Sequence, residues 1–167
     1  MTIKEKVKAA LPITGAHVNL LDPTVSDIFG VLGYDYIFVD MEHSAIDCEH
    51  AFQLILAAKA NNMAVFVRVP ADDITITKRI LEMGIDGIIF PMIKDAKHAE
   101  EMIAQTLYPP YGKRGFGPLN AVGYGFFDTS EYIATNHKNM CRFIQIEHVD
   151  AVNDLDEIMK EFASKPK

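Results

Sequence analysis

The segment Tyr36-Ile37-Phe38-Val39-Asp40-Met41-Glu42-His43 runs from four apolar or aromatic residues directly into a cluster holding three ionisable ones. A carboxylate and an imidazole three residues apart can form an oriented acid–base pair, with Asp40 fixing the ring of His43 and His43 moving protons near neutral pH. The structural alternative is that Asp40 caps the helix that follows and His43 is an ordinary loop residue. Arg68 lies inside Val65-Phe66-Val67-Arg68-Val69. A guanidinium in an apolar strand is costly unless it meets a carboxylate or an anionic ligand. Arg68 is therefore either a clamp for a substrate carboxylate or developing oxyanion, or half of a buried ion pair with Glu42 or Glu147. Further on, Phe143-Ile144-Gln145-Ile146-Glu147 places Gln145 and Glu147 on one face by strand alternation. Glu147 can ligate a metal, act as a base or pair with Arg68. His148 points to the opposite face and is not counted as a ligand.

The elements that must position these residues alternate between strand and helix. The pattern predicts strands over Ile13 to Leu20, Tyr36 to Val39, Ala64 to Val69, Gly87 to Phe90 and Arg142 to Glu147. Helices are predicted over Lys4 to Ala10, Val25 to Leu32, Cys48 to Asn61, Asp72 to Met83, Ala96 to Thr106, Ser130 to Asn136 and Asp150 to Ala163. Asp47 or Ser44, and Asp95, are the expected caps, and Gly33 and Gly84 the expected helix stops. Tyr108 to Gly125 is rich in glycine and proline and reads as a long ordered loop or a lid candidate, with Lys113 and Arg114 placed either to meet an anionic substrate end or to face solvent. His17 on the first strand points to the same mouth as Asp40, and a hydrogen-bonded structural role is its expected one.

Five β/α units in series imply a parallel sheet with helical crossovers. An open doubly wound sheet competes with part of an eight-stranded barrel. The first crossover has no glycine-rich phosphate loop, and polar residues at the ends of several strands are the pattern of a barrel enzyme. The expectation is an α/β chain of the TIM (β/α)8-barrel family, an incomplete barrel of about five units forming a single domain over residues 1–167. The 167 residues carry a net charge of −7, which argues against a nucleic-acid partner, and the apolar runs are strand-sized, which argues against a membrane span. Cys48 and Cys141 fit no metal or redox spacing, so a cytoplasmic location is expected.

Val39-Asp40-Met41-Glu42-His43, Val67-Arg68-Val69-Pro70, Gly87-Ile88-Ile89-Phe90-Pro91-Met92, Tyr108-Pro109-Pro110-Tyr111-Gly112-Lys113-Arg114-Gly115 and Gln145-Ile146-Glu147 together resemble the HpcH/HpaI aldolase family, the class II pyruvate-dependent aldolases, in order and spacing along nearly the whole chain. The resemblance implies a metal-dependent carbon–carbon lyase that cleaves a 4-hydroxy-2-oxo acid to pyruvate, or a related 2-oxo acid, plus an aldehyde. It implies a divalent cation, Mg2+ or Mn2+, with Glu147 as one ligand. It implies Arg68 and Gln145 as substrate-binding residues and His43, oriented by Asp40, as the proton-transfer group.

The resemblance also implies a second metal ligand, an aspartate after the next strand, and Lys167 precedes that point. Strands six to eight of a family barrel are likewise beyond this sequence. Two expectations follow. The first is an active aldolase completed by oligomerisation or a partner segment. The second is a non-catalytic remnant serving as a structural or binding module. Raw sheet edges at strands one and five lead us to expect a homo-oligomer or a marginally stable chain.

Overall fold

The computed structural model describes residues 1–164. In chain order the elements are α1 (Ile3–Lys8), β1 (Gly15–Val18), α2 (Thr24–Val31), β2 (Tyr36–Asp40), α3 (Cys48–Ala60), β3 (Ala64–Arg68), α4 (Ile74–Glu82), β4 (Gly87–Phe90) and α5 (Ala96–Ala104). A 3-10 turn at Asn120–Gly125 then leads to α6 (Thr129–Asn139), β5 (Cys141–Ile144), α7 (Val149–Asn153) and α8 (Leu155–Ser164).

All five strands are parallel and lie in the order β1-β2-β3-β4-β5. Sequential order with right-handed crossovers keeps every connection on one side of the sheet, whereas a doubly wound sheet reverses direction at a switch point. The arrangement is the winding of a (β/α)8 barrel over five units, so the open doubly wound alternative is set aside.

Strand alternation divides the side chains between two faces. Val18, Ile37, Val39, Val65, Val67, Ile88 and Phe90 are fully buried and share one core with Leu54, Ile55, Ile80 and Ile103 from the helices. The other face is the inner one. It carries an aromatic row in which Tyr36 meets Phe66 at 4.7 Å between ring centroids and Phe66 meets Phe143 at 5.2 Å. Glycine is required beneath this row: a Cβ on Gly15 would stand 2.0 Å from Tyr36 Cζ. The inner face forms an open trough of about 620 Å3 whose lining includes His17, Phe38, Arg68, Ile89, Phe143 and Gln145.

Helix ends follow the expected chemistry. The Asp47 carboxylate accepts from the backbone N–H groups of Glu49 and His50, Asp73 accepts from Ile76, and Asp95 accepts from His98. Gly33 and Gly84 close α2 and α4 at φ +79° and +81°, a region that favours glycine.

Five expectations need correction. The first strand is shorter than predicted, Gly15–Val18, and the fifth ends at Ile144, so Gln145 and Glu147 stand just beyond it. The final helix is two, α7 and α8, separated at Asp154, whose N–H bonds back to the Asp150 carbonyl while its carboxylate accepts from Ala96 of α5. Ser44 does not cap α3; its hydroxyl donates to the Asp40 carbonyl and accepts from the Ile46 N–H.

The last correction concerns the stretch Tyr108 to Gly125, which is not a lid over the strand ends. Asn120 and Ala121 lie against Gly84 at the far end of α4, and Tyr124 shares a cleft with Phe52 and Met83. Arg114 is buried, donating to the Leu81 carbonyl at 3.0 Å and standing 3.5 Å from Glu82. Its guanidinium also lies over the Tyr108 ring at 4.6 Å. This arginine ties the connection to α4 and does not face a substrate. Burial pushes the Glu82 carboxyl above its ordinary range, with Arg114 opposing, and pushes the Tyr108 hydroxyl up as well. Among the described residues no helix is long and apolar enough to cross a membrane.

Candidate active site

Parallel pairing places Asp40 opposite Arg68 in register, both at the C-terminal ends of their strands. Arg68 Nε donates to Asp40 Oδ1 at 2.9 Å and Nη2 donates to Oδ2 at 2.6 Å. This is the two-pronged geometry that suits a planar guanidinium and a carboxylate. Asp40 is 2% exposed. Its Oδ1 also accepts the backbone N–H groups of Glu42 at 3.1 Å and His43 at 3.3 Å. Burial alone would raise the pKa of Asp40, but the Arg68 bonds and the two backbone N–H groups outweigh it and hold the carboxyl well below the usual range. The same bonds raise the pKa of Arg68 against the effect of burial, and the negative charges of Asp40, Glu42 and Glu147 add to the rise. Arg68 is therefore in a buried ion pair, but its main partner is Asp40 and not the expected Glu42 or Glu147; Glu42 stands second at 3.3 Å.

The side-chain pair predicted between Asp40 and His43 is not formed. Asp40 meets the backbone of His43, as a cap meets a turn, because the loop bends back over the strand end. The imidazole of His43 is 70% exposed and lies 3.6 Å from Glu42 Oε2. The imidazole that does meet Asp40 is that of His17, with Nε2 3.2 Å from Oδ2. Its ring packs on Phe38 at 4.7 Å between centroids. Sequence alternation put His17 at this mouth, but the register that sets His17 beside Phe38, two residues before Asp40, comes only from strand pairing. Glu42 Oε2 is buried 3.3 Å from Arg68 Nε and accepts no hydrogen bond, since that N–H is directed at Asp40.

Gln145 links the arginine to Glu147. Arg68 Nη1 donates to Gln145 Oε1 at 3.4 Å, and Gln145 Nε2 donates to Glu147 Oε2 at 3.2 Å. Glu147 Oε1 accepts the backbone N–H of Met92 at 2.8 Å, a contact sequence reasoning did not anticipate. Met92 follows Pro91 and adopts φ +53°, which turns its N–H toward the neighbouring loop. His148 takes a capping role, accepting from the Asp150 N–H at 3.2 Å.

Among the described residues no group of three or more His, Cys, Asp or Glu side chains could hold a metal ion. A hard divalent cation needs fewer protein donors, since Mg2+ is held by one or two carboxylates with water and substrate oxygens completing its shell. Glu147 fits that chemistry. It is exposed, it stands at the strand end, and each oxygen keeps a lone pair after accepting one hydrogen bond.

The whole constellation can bind an anion at Arg68, offer oxygen ligands at Glu147 and move protons on two imidazoles. The matches to known proteins agree with this organisation. The HpcH/HpaI aldolase/citrate lyase family model matches residues 14–165. A hydroxypyruvate/pyruvate aldolase of Roseobacter denitrificans is 28% identical over 158 residues, covering 95% of this chain and 62% of that protein. A 5-keto-4-deoxy-D-glucarate aldolase of Escherichia coli O139:H28 is 31% identical over 157 residues, covering 92% and 61%. The crystal structure of an HpcH/HpaI aldolase from Desulfitobacterium hafniense DCB-2 superposes with a TM-score of 0.86 at 31% identity, covering 95% of this chain and 62% of that one. The chain thus spans a little over three fifths of the length of these relatives. With the order of its strands, the Asp40–Arg68 pair and Glu147 all at one mouth, the chain belongs to the HpcH/HpaI aldolase/citrate lyase family.

Proposed function

We propose that this chain carries the catalytic mouth of a class II pyruvate-dependent aldolase. Its reaction would cleave a 4-hydroxy-2-oxo acid to pyruvate, or a related 2-oxo acid, and an aldehyde. The observation that supports this most is Arg68, fixed on both oxygens of Asp40 while its Nη1 edge reaches Gln145 beside Glu147. A guanidinium held this way is organised before substrate arrives, so no reorganisation is needed as negative charge develops.

Cleavage takes the proton from the C4 hydroxyl and breaks the C3–C4 bond. The electron pair of that bond stays on the 2-oxo fragment as an enolate, which then takes a proton at C3. Arg68 neutralises charge on the enolate oxygen and steadies the carboxylate end. Gln145 orients both Arg68 and Glu147 and hydrogen-bonds the bound acid. His43, 70% exposed in the loop after β2, carries the proton at C3. Glu147 would hold Mg2+ or Mn2+, and when bound the cation supplies Lewis-acid polarisation of the 2-oxo group. The names of the two curated relatives, both aldolases, favour this reading. We take the working form to be a homo-oligomer, in which a neighbouring copy helps to cover the aromatic row of the inner face. We place it in the cytoplasm, where its two free cysteines stay reduced.

Release of pyruvate from 4-hydroxy-2-oxopentanoate, followed with lactate dehydrogenase, tests the proposal. Release with Mg2+ or Mn2+ that a chelator abolishes is expected. A folded chain that releases none with either metal contradicts it.

A further inference from the structure

We infer that His17 is a second catalytic histidine of this mouth, the one that accepts the C4 hydroxyl proton; the inference rests on the aldolase reading above. Cleavage needs a proton acceptor at the C4 oxygen as well as a proton donor at C3. Two histidines from different elements stand at the mouth, His43 in the loop after β2 and His17 in β1.

Of these two, His17 is the one within hydrogen-bond distance of a carboxylate, through Nε2 and Asp40 Oδ2 at 3.2 Å, whereas His43 stands 3.6 Å from Glu42. An ionised carboxylate can only accept, so the hydrogen of that bond lies on Nε2 and the lone pair of the neutral ring lies on Nδ1. Packing against Phe38 and the Asp40 bond fix the ring on two sides. The side chain nevertheless remains 53% exposed. It lines the same trough as Arg68 and Gln145, so a ligand anchored on Arg68 lies within that shared space.

The step balances as follows. The C4 hydroxyl proton moves to His17 Nδ1, the aldehyde forms as the C3–C4 bond breaks, and the electron pair becomes the enolate. The imidazolium left at His17 stands on Asp40, whose charge offsets it, and returns its proton to water before the next turnover. The proton at C3 comes from His43, which water re-protonates. This is the carboxylate–imidazole arrangement expected near neutral pH, supplied by a histidine from the neighbouring strand.

Two reactions separate this role from a positioning one. Exchange of the pyruvate methyl protons in D2O involves only C3, whereas cleavage of 4-hydroxy-2-oxopentanoate also needs the C4 acceptor. His17→Phe keeps the ring packing and should lower the cleavage kcat by about a hundredfold, with exchange falling by less than about tenfold. His17→Asn keeps a donor for Asp40 but has no proton-accepting nitrogen, and should cleave as poorly. Recovery of cleavage in His17→Asn would overturn the inference. Equal loss of cleavage and exchange in His17→Phe, or loss of neither, would also overturn it. Absence of both reactions in the unaltered chain would defeat the aldolase reading itself, a result distinct from either of those.

Discussion

Asp40 and Arg68 sit directly opposite one another at the ends of β2 and β3, joined by two hydrogen bonds of 2.9 and 2.6 Å. One carboxylate therefore fixes the guanidinium, caps the loop carrying Glu42 and His43, and orients His17. Strand pairing, loop shape and site geometry meet in a single side chain.

Removing that charge should be expensive. In Asp40→Asn the guanidinium, whose side chain is 11% exposed, loses its main charged partner and keeps the longer contact to Glu42 and the hydrogen bond to Gln145. Breaking a buried pair on one side costs about 3–5 kcal/mol, and Glu42 should keep the loss near the lower figure. Urea unfolding at neutral pH measures it; a loss under about 1 kcal/mol, the range of an exposed pair, would contradict the account.

The same carboxylate predicts acid sensitivity. Its folded pKa lies below its unfolded value, so the stability it contributes is fully present above the unfolded value of about 4. That stability is lost as pH falls from there toward the folded pKa. Unfolding midpoints measured from neutral pH downward should drop in this acid window, and Asp40→Asn should flatten the drop. Parallel curves for the two proteins would speak against Asp40 as its source.

Gln145 and Glu147 give a prediction about metal. Mn2+ binding, read by water-proton relaxation, should disappear in Glu147→Gln. Gln145→Ala frees the Glu147 carboxylate from its neighbour and should weaken binding by about tenfold, the lower end for residues that orient a ligand. Unchanged binding in Glu147→Gln would remove Glu147 from the metal's shell.

Arg114 should behave as a structural residue. Arg114→Met leaves Glu82 and the Leu81 carbonyl short of a partner and should cost about 1–3 kcal/mol. Thermal unfolding reads the loss, and KM for the 2-oxo acid should hold at temperatures where the variant is folded. A raised KM with unchanged stability would restore the substrate-facing role.

Much of this was legible in the sequence because it is local. Four apolar residues ending in Asp40 announced a strand with a polar C-terminal end, and Asp47, Asp95, Gly33 and Gly84 announced helix boundaries. Arg68 inside an apolar strand announced a buried charge that needed a partner. The identity of that partner was not legible, because register between strands is a long-range property. Asp40 and Glu42 differ by two residues in sequence, yet only pairing of β2 with β3 sets Asp40 against the guanidinium. For the same reason the Asp40–His43 dyad was read from proximity in sequence, while His17, 23 residues away, holds the side-chain contact. Arg114 misled because a glycine- and proline-rich loop signals surface, and burial of one cation under it leaves no local pattern.

The most direct test is exchange of the pyruvate methyl protons in D2O, followed by proton NMR with Mg2+ or Mn2+ present. It requires enolate formation at this mouth and no knowledge of the aldehyde. The account predicts metal-dependent exchange that falls by about a hundredfold or more in Arg68→Ala and in His43→Ala. No exchange from the folded chain with either metal, or exchange indifferent to both substitutions, would contradict it.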